Sequence, residues 1–319
     1  MKLVILDGFA CNEGDLDWNG LRALVDEVVL YPRTKYEDII PRLQGADFAV
    51  VNKTYIDEAV LNAVPTLRWI GVTATGTDSL DIAACRRHGV PVANVPGYST
   101  HSVAQHTFAL LLDICQCPAR HEAALREGFW QMQVPARFGL TKQTELFGKT
   151  FGVIGYGDIG RQTAKLAAAF GMRVLCHTRT VRPAYENDGV SFVSFAQLLR
   201  ECDVISLHCP ATEATRGLIC EETLRQMKPS AILLNTARGA LVNEQDVADA
   251  LSRGALYAYG ADVFAHEPLP SESPLLSAPN AFLTPHIAWA TSDALSRLSA
   301  EVCKNLASFL EDIPKNIVN

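Results

Sequence analysis

TFGVIGYGDIGRQTAKLAAAFGMRVLC, residues 150–176, decides how this chain folds. A β-rich apolar run, Phe151 to Ile154, gives way to Gly155-Tyr156-Gly157-Asp158-Ile159-Gly160; a helical run from Arg161 then leads to a second apolar run ending at Cys176. G-x-G-x-x-G alone is also met in ordinary glycine-rich turns. Between a strand and a helix it points to a dinucleotide site. The first glycine permits the turn, the second lets backbone approach a pyrophosphate, the third allows close helix packing, and the helix N-terminus is aimed at the phosphates.

That fingerprint expects an acidic residue at the end of the second strand to bind the ribose 2′-hydroxyl. Here the strand runs into His177-Thr178-Arg179-Thr180, and no Asp or Glu lies between Arg161 and Tyr185. A hydroxyl and a guanidinium suit a 2′-phosphate better than a bare ribose. The alternative is that Arg179 is a solvated loop residue.

Outward from this unit the same beat continues. DVISL, AILLN, YAYGADV and FLT alternate with helical stretches near 195–201, 221–227 and 243–253, which requires crossover connections and a mainly parallel sheet covered on both faces. Upstream, LVIL (3–6), FAVV (48–51), RWIGV (68–72) and VPVANVP (90–96) repeat the pattern. A helix over 101–116 follows, with Ser99 or Ser102 as its cap, the latter paired with Gln105 as a capping box. Its apolar arc is wide: Val103, Thr107, Leu110, Leu111 and Ile114 form one stripe beside Ala104, Phe108, Leu112 and Cys115. Such a helix is expected to be buried between two bodies, either domains or subunits. Residues 290–311 read as an amphipathic terminal helix with Leu295, Leu298, Val302, Leu306 and Phe309 on one face.

Composition removes other classes. The chain has 319 residues, room for two domains; 48% hydrophobic and 20% charged residues exclude a disordered or collagen-like chain. A net charge of −7 without a basic block leaves no footprint for nucleic acid or anionic lipid. No apolar run approaches the roughly 18 residues that span a bilayer. The first run stops at Asp7 and reads as a strand rather than a signal peptide. Nine scattered cysteines suggest neither a disulfide framework nor a zinc knuckle and fit a reducing cytoplasm; eight histidines without H-E-x-x-H give no metal site.

Three further segments lie just past strand ends: Asn235-Thr236-Ala237-Arg238-Gly239, Asp262-Val263-Phe264-Ala265-His266-Glu267-Pro268 and Thr284-Pro285-His286. In an open parallel sheet the carboxyl ends of the strands form the ligand crevice, where Arg238, Glu267 and His286 can converge. Taken singly, each also reads as a turn arginine, a solvated carboxylate and a core histidine.

The order GYGDIGR, HCP (208–210), NTARG, DVFAHEP and TPHIAWAT (284–291) resembles that of the D-isomer-specific 2-hydroxyacid dehydrogenases over essentially the whole chain. VNKT (51–54), NVPGYST (94–100) and SVAQH (102–106) are most similar to the glycerate dehydrogenases, or hydroxypyruvate reductases, of that family. The resemblance implies an α/β fold of two doubly wound domains. A Rossmann dinucleotide-binding domain over 99–287 is inserted into a smaller flavodoxin-like substrate domain of 1–98 plus 288–319. It also implies a homodimer through the 101–116 helix. It places Thr75 and Gly76 as backbone donors to a substrate carboxylate. Around the cofactor it places Gly155, Gly157, Asp158, Ile159, Gly160, Thr178, Arg179, Cys209, Thr236, Ala237, Asp262 and Ala288. The cofactor is then NAD(H) or NADP(H). Because Thr178 replaces the family's usual acid, a bias to NADPH is expected.

The implied reaction moves hydride from a nicotinamide to the C2 carbonyl of a small 2-oxo acid, hydroxypyruvate or glyoxylate. Arg238 has the planar fork to hold the carboxylate and polarise the carbonyl. His286 is the acid/base, and a carboxylate at Glu267 favours its imidazolium form. A dinucleotide-sensing corepressor shares fold and triad, but the short chain beyond His286, without a Pro/Ser-rich tail, points to the enzyme. Formate dehydrogenases pair their histidine with Gln, against which Glu267 argues. Substrate selectivity is expected in the loops around 52–55, 75–78 and 130–140.

Overall fold

A computed structural model describes residues 1–9, 14–132, 139–185 and 189–319; most of the 130–140 loop falls outside the described residues. The chain forms two compact units, Met1–Ser99 with Trp289–Asn319, and Thr100–Ala288.

The first unit runs β1 (Lys2–Ile5), α1 (Asn19–Arg22), β2 (Glu27–Leu30), α2 (Tyr36–Leu43), β3 (Phe48–Val51), α3 (Glu58–Ala63), β4 (Trp69–Val72), α4 (Ile82–Arg87) and β5 (Val92–Ala93). Its five strands are parallel in the order β2-β1-β3-β4-β5, the flavodoxin-like order. FAVV and WIGV are buried at every position, as expected of strands covered on both faces. Alternate residues serve opposite layers. Leu3, Ile5, Phe48, Val50 and Trp69 pack with Leu295, Leu298, Val302 and Leu306 of the terminal helix Ser292–Leu310. Val4, Ala49, Val51, Ile70 and Val72 pack with α2, α3 and α4. Trp69 folds its ring over Gly71, where a Cβ would lie 2.4 Å away, so the glycine makes room for the largest core side chain.

The second unit opens with α5 (Thr100–Gln116) and α6 (Pro118–Arg126). It continues through β6 (Thr150–Ile154), α7 (Asp158–Ala169), β7 (Arg173–His177), β8 (Ser191–Phe192), α8 (Phe195–Glu201), β9 (Val204–Leu207), α9 (Glu221–Leu224), β10 (Ile232–Asn235), α10 (Glu244–Ser252), β11 (Ala258–Ala261) and β12 (Ala281–Leu283). Its parallel sheet is ordered β12-β11-β10-β9-β6-β7-β8. Counted from β6, this is the dinucleotide-binding order with one added strand, and the order reverses between β6 and β9. The crevice beyond the carboxyl ends of those two strands is the place for a ligand.

Of the two cap candidates for α5, Ser99 stands directly before the helix and Ser102 is corrected. The helix begins at Thr100, so Ser102 lies inside it and its hydroxyl donates to the Ala288 carbonyl at 2.5 Å instead of capping. The wide apolar arc is covered largely within its own unit. Phe108 stacks between Phe151 and Phe170 at 5.9 and 5.3 Å, and Leu110 and Ile114 lie over Gly260 of β11, where a Cβ would meet them at 3.2–3.4 Å. The helix fills the layer over β6, β10 and β11 beside α7, a position that uses the breadth of its apolar surface.

The eight described cysteines are all free thiols, and burial pushes Cys85 and Cys115 up to about 11. No helix among the described residues is long and apolar enough to cross a membrane.

Candidate active site

Gly155 ends β6 at the switch point. Its N–H donates to the His177 carbonyl at 2.8 Å, and its φ of +94° is one that side chains rarely adopt. A Cβ there would lie 2.5 Å from the Cys209 nitrogen, so the turn after β6 and the His208-Cys209 turn after β9 meet backbone to backbone. Gly160 is equally constrained: its Cβ would sit 2.2 Å from the Gly155 carbonyl oxygen. Gly157 differs, because a Cβ there would meet nothing within 4 Å. It is the N-cap of α7, in extended backbone with no side chain capping the helix. Two glycines are thus demanded by packing and one opens on space in front of helix N–H groups that no cap satisfies. That arrangement fits a pyrophosphate, held by the backbone of Asp158, Ile159 and Gly160.

Thr178 and Arg179 follow directly from the end of β7, the strand beside β6, with Thr178 half-buried and Arg179 exposed. The preceding His177 ring is fixed by its Nδ1 contact to the Val193 carbonyl at 3.1 Å. Cys209 is half-buried, and burial pushes its thiol up. Its neighbour His208, held down to about 3 by burial, is a neutral ring bonded to the Ser206 hydroxyl at 2.8 Å. It is a support for the turn, not a titrating group.

Arg238, Glu267 and His286 follow the carboxyl ends of three adjacent strands, β10, β11 and β12. His286 Nδ1 lies 2.6 Å from Glu267 Oε2, and the second carboxylate oxygen accepts from the Phe264 N–H at 3.2 Å. His286 is itself in the left-handed region, at φ +56°. The surrounding turn is tied down by Asp262, which is fully buried. Its carboxylate accepts from Thr284 Oγ1 at 2.6 Å, Ile287 N at 2.9 Å and Ala288 N at 2.7 Å. The Thr284 proton being spent on Asp262, His106 Nε2 donates to the Thr284 oxygen at 2.9 Å. Several hydrogen bonds thus hold the strained residue where a catalytic group needs an exact orientation.

Arg238 is half-buried on the loop leaving β10. Asn235, wholly buried, holds that loop from both sides: its amide donates to the Arg238 carbonyl at 3.0 Å and its oxygen accepts from Ala237 N at 3.1 Å. The guanidinium donates to the Ala237 carbonyl at 2.8 Å. A Cβ on Gly239 would fall 1.9 Å from the carbonyl carbon of Phe264. The Arg238 loop and the loop carrying Glu267 are therefore pressed together at a position only glycine can occupy.

The remaining expected contact residues have these protein partners. The Asp262 carboxylate points into the protein, and Ala288 spends its N–H on Asp262 and its carbonyl on Ser102, so both serve the His286 turn. The Thr236 hydroxyl pairs with Thr107 at 2.8 Å. Thr75 and Gly76 lie in the first unit after β4, where Thr75 Oγ1 donates to the Val95 carbonyl at 2.8 Å. One residue not singled out as a site residue from the sequence, Asp7, organises the loop after β3. Asp7 accepts from the amides of Asn52, Lys53 and Thr54 at 2.9–3.0 Å, and Asn52 donates to the Thr73 carbonyl at 2.8 Å. VNKT carried the resemblance but showed no partner; Asp7, at the end of β1, is that partner. Among the described residues no group of three His, Cys, Asp or Glu side chains is placed to hold a metal ion.

Residues 108–288 match the family model "D-isomer specific 2-hydroxyacid dehydrogenase, NAD binding domain". The chain is 42% identical to a hydroxypyruvate reductase of Blautia hydrogenotrophica over all of both chains. It is 37% identical to a glycerate dehydrogenase of Methylorubrum extorquens over 88% of each. The solved structure of a D-lactate dehydrogenase from Aquifex aeolicus, complexed with NAD and lactic acid, superposes with a TM-score of 0.86 at 29% identity, covering 100% of this chain and 99% of that one.

Proposed function

This chain belongs to the D-isomer specific 2-hydroxyacid dehydrogenases, and we propose that it reduces hydroxypyruvate or glyoxylate to D-glycerate or glycolate at the expense of NADPH or NADH. The observation that carries the reading is the 2.6 Å His286–Glu267 pair on the carboxyl rim of the same sheet whose switch point bears the glycine turn. When bound, the reduced nicotinamide supplies hydride to C2 of the 2-oxo acid. Arg238 offers two N–H groups in one plane, which hold the substrate carboxylate and draw charge onto the carbonyl oxygen. His286 gives that oxygen its proton, so that oxo acid, hydride and proton become the hydroxy acid. Glu267 engages Nδ1 and fixes the orientation of the ring for that transfer. Backbone N–H groups of Thr75 and Gly76 are the first unit's contribution to carboxylate binding in this reading. Thr178, Arg179, Cys209, Thr236 and Ala237 flank the dinucleotide, with Asp262 and Ala288 acting through the His286 turn. The corepressor reading loses ground to whole-length relatives that are named as reductases and dehydrogenases.

The test is the absorbance of the reduced nicotinamide with purified protein. Hydroxypyruvate or glyoxylate is expected to drive its oxidation, and formate with the oxidised dinucleotide to drive nothing. Dinucleotide binding without turnover of any 2-oxo acid would favour the sensor instead.

A reducing, cytoplasmic setting suits eight free thiols. The homodimer is retained on grounds other than the α5 arc. Leu125, Phe129, Trp130 and Met132 are exposed at the end of α6 and in the turn after it, and Phe147, 75% exposed, borders with Phe170 a groove of about 540 Å³. Light scattering at micromolar concentration is expected to give twice the chain mass; a monomer would sink the idea.

A further inference from the structure

Glu267 reaches His286 from a stretch that has left the core. Val263 and Phe264 are buried, whereas residues 265–268 are exposed, so the carboxylate stands at the end of a short surface loop. Something must fix that loop. Part of the answer is Gly239, whose close approach to Phe264 presses the loop against the backbone after Arg238. The rest is Glu244, the first residue of α10, whose Oε1 accepts from the Ala265 N–H at 2.7 Å, a charge-assisted bond.

An acid in the first turn of a helix ordinarily serves the helix itself. Here Asn243 already does so, its side-chain oxygen accepting from Gln245 N and Asp246 N at 3.2 and 3.3 Å. The half-buried Glu244 carboxylate turns instead to the neighbouring loop. The bonds then run in series: Glu244 to Ala265 N, Phe264 N to Glu267 Oε1, Glu267 Oε2 to His286 Nδ1. The first two involve adjacent backbone amides, so a shift at Ala265 is a shift at Glu267.

We propose that Glu244 is a positioning residue for the reaction: by pinning the Ala265 peptide it fixes the loop that delivers Glu267 to His286. This rests on the catalytic reading of Glu267 and His286 above. Glu244 touches neither substrate nor dinucleotide in this role, and its effect passes entirely through Glu267.

The experiment is a double-mutant cycle of the full-length protein, comparing the parent, Glu244→Ala, Glu267→Gln and the double variant, with Glu244→Gln as the conservative control. Glu244→Ala is expected to lower kcat about tenfold, the rate equivalent of one charge-assisted hydrogen bond, with the dinucleotide KM unchanged. Glu244→Gln keeps an oxygen acceptor and should restore kcat. In the Glu267→Gln background the alanine change should cost less than it does alone.

Additive effects overturn the inference. So does an alanine variant whose dinucleotide KM rises as much as its kcat falls, or a glutamine variant as impaired as the alanine one. If Glu267→Gln lowers kcat while Glu244→Ala leaves it as in the parent, only the role of Glu244 falls. If Glu267→Gln itself behaves as the parent, the catalytic reading falls and takes this inference with it.

Discussion

His286→Ala is expected to lower reductive kcat by about 10² to 10⁴, the usual worth of a positioned general acid, while dinucleotide affinity stays within a few-fold. The two effects separate because different parts of the sheet carry them. In the proposed function, phosphate binding falls to Gly155–Gly160 at the end of β6, at the switch point against β9, whereas His286 follows β12 at the opposite edge from β8. In the proposed reaction, loss of the imidazole removes the proton donor. The His286 backbone at φ +56° is the point of concern for any substitution, since alanine tolerates the left-handed region poorly. His286→Asn supplies the control, because asparagine is at ease there and cannot donate as an acid. Both variants should be equally inactive, with dinucleotide titrations close to the parent. Near-native turnover in either would remove His286 from the mechanism.

The parts of the fold that could be read beforehand are those where one force acts alone. VISL and ILLN are buried at every position, and a continuous apolar run bounded by turn residues has few other uses. The glycine turn was legible for the same reason: close approach at Gly155 and Gly160 admits no other residue. β2 and β8 passed unnoticed because they are edge strands, one partly exposed and the other two residues long, so neither carries a strong pattern. The α5 arc was legible as apolar but not as to what covers it. Phe151, Phe170 and Gly260, which are distant in sequence, do that. In the site, Arg238, Glu267 and His286 stood out by their place after strands. The supports did not. A carboxylate such as Asp262 reads the same whether it faces a ligand or three donors of its own turn, and Glu244 reads as a helix-start acid.

Cofactor choice should turn on the two residues after β7. The Gly155–His177 bond at 2.8 Å sets the ends of β6 and β7 side by side, so Thr178 and Arg179 stand next to the phosphate turn, where the dinucleotide's adenosine ribose is read in this fold. An acid at that position bonds both ribose hydroxyls and repels a 2′-phosphate. Thr178 carries no such charge: its hydroxyl is expected to serve a ribose still, so NADH is expected to remain usable while the repulsion is gone. Arg179 then adds attraction. A charge-assisted, bidentate contact to phosphate is worth about 1.5 to 3 kcal/mol, tenfold or more in affinity. Its exposure at the surface places the gain toward the lower end, since water and salt screen the pair. Arg182 is exposed as well, ahead of the short turn Pro183–Tyr185. NADPH is therefore expected to be used at least as well as NADH. Arg179→Ala should lower kcat/KM for NADPH about tenfold and leave that for NADH in place. Thr178→Asp should act on both sides of the ratio, restoring the ribose contact and the repulsion together, and so move it further than the alanine change does. The measurement is kcat/KM with each dinucleotide in the three proteins, repeated at high salt, where the Arg179 increment should shrink. A parent that prefers NADH tenfold, or an Arg179→Ala ratio equal to the parent's, would overturn this reading of the loop.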